Sequence, residues 1–147
     1  MSTHDVLLFL HLLGAFATVT VVVMLTTFAV VARGPAGAPV LRLSGLARRM
    51  WDVAGLGTLV FGIWLALDVE DYGLLDGWIL AAIVLWVVAA GTGTRVGQTF
   101  HDARQAAERG EGDVATLVTD GRTRLMHVVM AVAVAALLVV MIYKPGA

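Results

Sequence analysis

His11 is the one ionisable side chain that sits well inside an uncharged run, the stretch at residues 6–32. Placing a polar group in hydrocarbon costs free energy, so such a residue is a functional hypothesis by default. Counted from Val6, it lies about 7–8 Å below the edge of the run if the run is helical. Met141 comes three residues before Lys144, which puts it about 4–5 Å from the same boundary. A histidine and a methionine form an axial pair for haem iron. The same two donors suit Cu(I), which favours soft ligands. The plainer alternative is an imidazole hydrogen-bonded to a threonine, to Asp68 or to a backbone carbonyl between helices.

A second pair lies near the opposite boundary. His127 and Met130 are three apart and share a helical face. Together with Met24 they define a second, weaker candidate metal site. The alternative is a methionine filling a core gap and a histidine meeting headgroups or water. His11 and His127 differ in depth by roughly 20 Å in a core of about 30 Å. They therefore do not ligate one iron within one copy of the chain.

The elements that must carry these residues follow from the charge pattern. Of 147 residues, 59% are hydrophobic and only 14% charged, too few to cover a water-facing surface. Spans are expected at about residues 6–32, 51–68, 77–97 and 123–143, each near the 20 residues that cross a bilayer as a helix. Strands are excluded because the runs do not alternate and lipid cannot satisfy an open strand edge. The first run has no basic residue before it and outlasts a signal h-region, so it reads as a retained helix. The fold class is thus all-α: a single integral-membrane domain over residues 1–147, an up-down four-helix transmembrane bundle.

Orientation follows from the arginines. Of the ten basic residues, all but Lys144 fall in the connections at residues 33–50 and 98–122 or at their edges. Those include Arg33, Arg42, Arg48, Arg49, Arg95, Arg104 and Arg109. Asp68, Glu70, Asp71 and Asp76 occupy the second connection with no basic neighbour. The positive-inside rule makes the arginine-bearing connections cytoplasmic and places both termini outside. Residues 34–39 form a Gly/Pro turn, and Leu41 to Arg49 reads as a short interfacial helix. Gly110, Glu111 and Gly112 break an extension of the third helix, and Asp113 caps a short helix ending near Asp120. Trp51, Trp78, Tyr72 and Tyr143 are expected at the interfaces, as belt residues. Asp52 is expected to pair with Arg48 or Arg49 one turn away.

Several chemistries are excluded. Cysteine is absent, so no disulfide, thiolate metal site or cysteine nucleophile exists. A net charge of −1 speaks against a nucleic-acid partner. No Asp, Glu, Lys or Arg reaches the midplane, which argues against a proton pump or voltage sensor. Gly55, Thr58, Gly62 and Ala66 form a small-residue stripe. Ala89, Gly93 and Gly97 form another, and His11, Gly14, Thr18 and Val22 share a face of the first helix. Such stripes let helices approach closely in lipid.

Three segments together resemble a known family. They are Leu10-His11-Leu12-Leu13-Gly14-Ala15; Gly57-Thr58-Leu59 followed by Gly62-Ile63-Trp64-Leu65; and Met141-Ile142-Tyr143-Lys144-Pro145-Gly146. The chain resembles, over essentially its whole length, a bacterial family of small integral-membrane proteins of unknown function. That family is similar in layout to the copper-resistance protein D membrane domain and to the HemJ-type protoporphyrinogen oxidases. The resemblance implies a helix-one histidine linked to haem, which maps to His11. It also implies a lysine on helix three, but residues 77–94 contain none, so porphyrinogen oxidation is not supported. The copper-resistance relatives imply copper handling instead.

The expectation carried forward is a multi-pass protein of the bacterial cytoplasmic membrane, most simply a non-catalytic accessory or scaffold protein. Its partners would be the bilayer, a second copy of itself or a larger membrane complex. The alternative is a protein binding haem b or copper, with His11 as ligand and Met141 as its partner.

Overall fold

The computed structural model describes residues 2–32, 40–69, 73, 75–110 and 114–145. No strand occurs among these residues; Val40 and Leu41 are helical, and five further helices have their full bounds within them. They are α1 Thr3–Val31, α2 Ser44–Asp68, α3 Gly77–Arg109, the short α4 Val114–Thr119, and α5 Gly121–Tyr143. Four of them, α1, α2, α3 and α5, are long and apolar enough to cross a membrane. The shortest of these, α5, has 23 residues, about 35 Å of helix against a hydrocarbon core of about 30 Å.

The helix ends follow local chemistry. Ser2 caps α1 through a reciprocal capping box: its Oγ accepts from the Asp5 amide at 3.2 Å, and Asp5 Oδ2 accepts from the Ser2 amide at 2.8 Å. Asp120 begins α5 by accepting the Arg122 amide at 3.1 Å. Gly110 ends α3 in the left-handed region at φ 67°, a conformation that glycine adopts without a Cβ clash. The expected break after α3 is therefore present at Gly110. Glu111, Gly112 and Asp113 lie outside the described residues, as do Arg33, the turn at 34–39, Glu70, Asp71 and Tyr72.

The first turn of α1 meets the last turn of α2, where His4 Nδ1 donates to Asp68 Oδ2 at 3.1 Å. The end carrying Ser2, Asp68, Asp76 and Lys144 is called the upper end below; that carrying Ala32, Ser44 and Asp120 is the lower end. Midway along, α1 and α2 come very close. A Cβ on Gly14 would lie 2.6 Å from Thr58 Oγ1 and 3.1 Å from the Thr58 amide nitrogen. Small residues permit this approach. α2 meets α3 at two tryptophans: Trp51 lies in the notch left by Gly93, and Trp86 Nε1 donates to the Gly55 carbonyl at 3.0 Å. α1 and α5 share a polar contact, in which Thr26 Oγ1 accepts from His127 Nε2 at 2.9 Å. The Thr26 hydroxyl itself donates to the Val22 carbonyl.

The packed core lies in the lower half. Val21, Leu25, Phe28, Trp51, Val96, Phe100 and Met130 belong to it. Phe28 and Phe100 meet edge-on with ring centroids 6.2 Å apart, a favourable aromatic geometry. A smaller cluster at the upper end joins Ala66, Trp78 and Ile79, with Met141 against it. Outward faces carry large apolar side chains, such as Phe16, Val53 and Ile142, each more than 70% exposed. Contiguous surface of this kind is rare on proteins that meet water and ordinary on those that meet lipid.

Three expectations need correction. Trp51 and Trp78 are not belt residues but core residues, 6% and 5% exposed. The reason for Trp51 is steric: Gly93 offers the indole a seat between helices that no larger residue would leave. The segment at 41–49 is not a separate interfacial helix. α2 is continuous from Ser44, because Leu41 and Ala47 are both buried in the lower core and draw this segment onto the bundle. Asp52 makes no ion pair with Arg48 or Arg49 among the described residues. It lines a cavity instead, while the Arg48 stem runs toward Gly97, with Cγ 4.0 Å from where a Cβ there would lie.

Candidate functional site

At the upper cluster the bundle is hollowed, open on one side. A cavity of about 380 Å³ opens there, lined from α1, α2, α3 and α5 together. Its walls carry His11, Gly62, Trp78, Trp86 and Met141, with Lys144 at the upper rim. The remaining lining is mostly leucine, isoleucine and alanine. Concave, largely apolar sites with a few convergent polar groups are the usual form of small-molecule and cofactor pockets.

His11 is held in one orientation. Its Nδ1 lies 2.9 Å from the Thr58 carbonyl oxygen. A carbonyl only accepts, so Nδ1 carries the proton and donates. The neutral ring then keeps its lone pair on Nε2. Gly62 supplies the floor under the ring: a Cβ there would lie 2.8 Å from Cε1 and 3.0 Å from Nδ1, but 3.9 Å from Nε2. Nε2 is thus the edge turned away from Gly62, and it has no hydrogen bond to the protein among the described residues. This arrangement is common in metal-bound histidines: the second ring nitrogen donates to a carbonyl or carboxylate, fixing tautomer and ring plane.

Lys144 is positioned by the end of α5. It adopts the left-handed region at φ 40° as the helix stops, and its Nζ lies 5.6 Å from the centroid of the Trp78 ring. That is within cation–π range. A cation is thereby held at the rim of an otherwise apolar pocket.

The structure brings His11 and Met141 to the same cavity, as their depths in the sequence imply. His127 and Met130 are placed differently. His127 Nε2 is engaged by Thr26, and Met130 is fully buried in the lower core. No group of three or more His, Cys, Asp or Glu suited to holding a metal occurs among the described residues.

Two contributors were legible only in part. A hydrogen bond from His11 to a backbone carbonyl between helices is the plainer alternative read from the sequence, and it is present; that the acceptor is the Thr58 carbonyl is something the sequence does not distinguish. Gly62 was visible as a member of a small-residue stripe, but nothing in the stripe said that a histidine ring would lie over it. The stripe also has a testable consequence. Gly62→Val should push the imidazole off its seat, since the added methyls have no space on that side. We expect the His11–Thr58 hydrogen bond to be lost, read as a shift of the His11 ring resonances by NMR, with α1 and α2 still paired.

Comparison with protein-family models, with curated proteins and with solved structures finds no match to this chain. The class defined by the fold is an all-helical protein with four helices able to span a membrane.

Proposed function

We propose that this chain is an up-down four-helix protein of the bacterial cytoplasmic membrane that binds haem b in its upper cavity, with His11 as iron ligand. Both termini face outward, on the strength of the arginine distribution. The observation that carries the proposal is the His11–Thr58 hydrogen bond, which orients the ring and leaves Nε2 available beside a large apolar space.

The residues fit the group in three respects. His11 offers a fixed nitrogen donor. Met141 lines the same cavity and would offer a thioether as a further ligand. Lys144 stands at the rim, where a propionate would meet a cation at the membrane surface. Haem supplies one-electron chemistry when bound. The chain's own contribution is to orient the imidazole, exclude water and set the polarity around the iron. Copper is the weaker alternative, because a bare ion with one nitrogen and one sulfur donor leaves most of a 380 Å³ cavity unused.

A second reading is the non-catalytic scaffold, acting through the small-residue stripes. Gly14, Gly62 and Gly93 face neighbours within the same chain, so these positions already serve packing inside the bundle. The scaffold reading predicts a colourless protein that purifies with a partner or as a homo-oligomer.

An absorption spectrum decides between the two. Full-length protein from a haem-replete host, purified in mild detergent, is expected to show a Soret band at close to one haem per chain. A colourless preparation that also fails to take up added haemin would overturn the haem reading.

A further inference from the structure

The seam between α2 and α3 is an antiparallel ladder with a regular register. Trp86 donates to the Gly55 carbonyl, the Trp51 ring lies on Gly93, and Arg48 Cγ lies 4.0 Å from where a Cβ on Gly97 would be. Residues four apart share a helical face. The next facing pair below Arg48 and Gly97 is therefore Ser44 and His101. Arg104, one turn below His101, keeps the same register: its Nη1 lies 3.3 Å from where a Cβ on Gly45 would be.

At this rung two buried polar atoms have no partner. The Ser44 side chain is 1% exposed, and neither its Oγ nor His101 Nδ1 makes a hydrogen bond. The geometry also places the His101 proton. Arg109 Nη2 donates to Gln105 Oε1 at 2.8 Å, so the Gln105 amide nitrogen is the donor to His101 Nε2, 2.9 Å away. Nε2 accepts, and Nδ1 carries the hydrogen. A buried donor without an acceptor bears its full desolvation cost, and such groups call for a specific explanation.

The groups around this rung are donors. Glu108 Oε1 accepts from Arg104 Nε at 2.8 Å, which offsets that acid and fixes the guanidinium with Nη1 toward Gly45. α2 begins at Ser44 with no side-chain cap, so the positive end of a 25-residue helix adds to the same place. A hydroxyl, an imidazole N–H, a guanidinium and a helix N-terminus together suit an anion with several acceptor oxygens. The level is also informative. Gly77 to Gly97 is about 30 Å of helix, the thickness of the hydrocarbon core, and His101 and Arg104 lie about 6 and 10 Å beyond it, among the headgroups. Leu43 and Leu46, flanking Ser44 and Gly45, are exposed. Basic pockets between membrane helices at this depth take phosphate-bearing head groups.

We propose that Ser44, His101 and Arg104 form a binding site for a phosphate group at the lower end of the α2–α3 seam. A lipid head and free phosphate share this chemistry. The site is independent of the haem reading of His11.

Full-length protein in dodecyl maltoside, with its histidine rings labelled, is titrated by NMR with inorganic phosphate, with dioctanoyl phosphatidylglycerol and with uncharged dioctanoylglycerol. The His101 ring is expected to shift with a phosphate-bearing probe and to stay in place with dioctanoylglycerol. A shift with both phosphates shows that free phosphate suffices; a shift with the lipid alone assigns the site to a lipid head. Arg104→Gln should weaken binding by roughly tenfold or more, the scale of a hydrogen bond to a charged group, and Ser44→Ala by about threefold, that of a neutral one. Ser44→Ala removes one oxygen from a packed position and serves if Arg104→Gln fails to fold. Arg49→Gln is the control: Arg49 is exposed at the same end of α2, off the face that meets α3, and binding should not change. No shift with either phosphate overturns the proposal, as does the same shift with dioctanoylglycerol. So does an equal loss in Arg49→Gln and Arg104→Gln, because diffuse surface charge would then explain the binding.

Discussion

Replacing Gly93 with leucine is expected to destabilise the bundle by about 3 kcal/mol or more, seen as a large drop in thermal midpoint in detergent. The figure combines two costs. Overpacking a filled core costs about 1–3 kcal/mol, and displacing a buried tryptophan from its seat costs about as much as truncating it, roughly 3–5 kcal/mol. The Trp51 ring occupies the space a Cβ on Gly93 would take. It is 6% exposed and belongs to the same core as Val96, Phe100 and Met130, so a leucine at this position forces a packed ring to move. Gly91, two residues earlier on α3, is the control. A Cβ there meets nothing within 4 Å, so Gly91→Leu should move stability by no more than about 0.5 kcal/mol, as for other uncrowded sites. Equal midpoints for the two variants would show that the α2–α3 contact at Trp51 does not hold the bundle.

His11→Ala is expected to abolish the Soret band while leaving the bundle folded. The imidazole makes one hydrogen bond to the protein, to the Thr58 carbonyl, and a single such bond contributes about 0.5–1.5 kcal/mol. Loss of the ring therefore costs little stability. Loss of Nε2 removes the fixed nitrogen donor of the cavity, and with it the proposed bond to iron. Added imidazole is expected to restore part of the band, because the vacated space and the Thr58 carbonyl both remain. Met141→Ala should retain the haem and shift the band, as the second ligand changes. A full-intensity band in His11→Ala would refute the assignment of the ligand. A drop in midpoint without any cofactor to lose would favour a purely structural histidine, and with it the scaffold.

The deep placement of His11 was legible because charge is informative in an apolar chain. With only 14% charged residues, the charges gather outside or at the edges of the uncharged runs, and an ionisable residue away from those edges stands out. The shared level of His11 and Met141 followed from counting residues at a constant rise, and both line the upper cavity. Counting failed at Trp51 and Trp78. Their sequence position marks them as boundary residues, yet a tryptophan one turn from a boundary is equally able to turn inward. Which way it turns depends on what the facing helix leaves open. Asp52 failed for the same reason: its expected arginine partners lie one turn away, but the facing helix offers the Arg48 stem a path along Gly97.

Composition and spacing alone thus determined that the chain is helical, how many helices can span a bilayer, and which ionisable residue lies well inside an uncharged run. These are properties of a single helix in a solvent, and hydropathy and helical rise are local. Tertiary structure decided the seat of Trp51 on Gly93, the orientation of His11 by the Thr58 carbonyl, and the open hollow beside it. Each of these is a relation between helices. A hollow above all has no residue of its own: it exists where side chains from several helices, set at their actual separations, leave space between them.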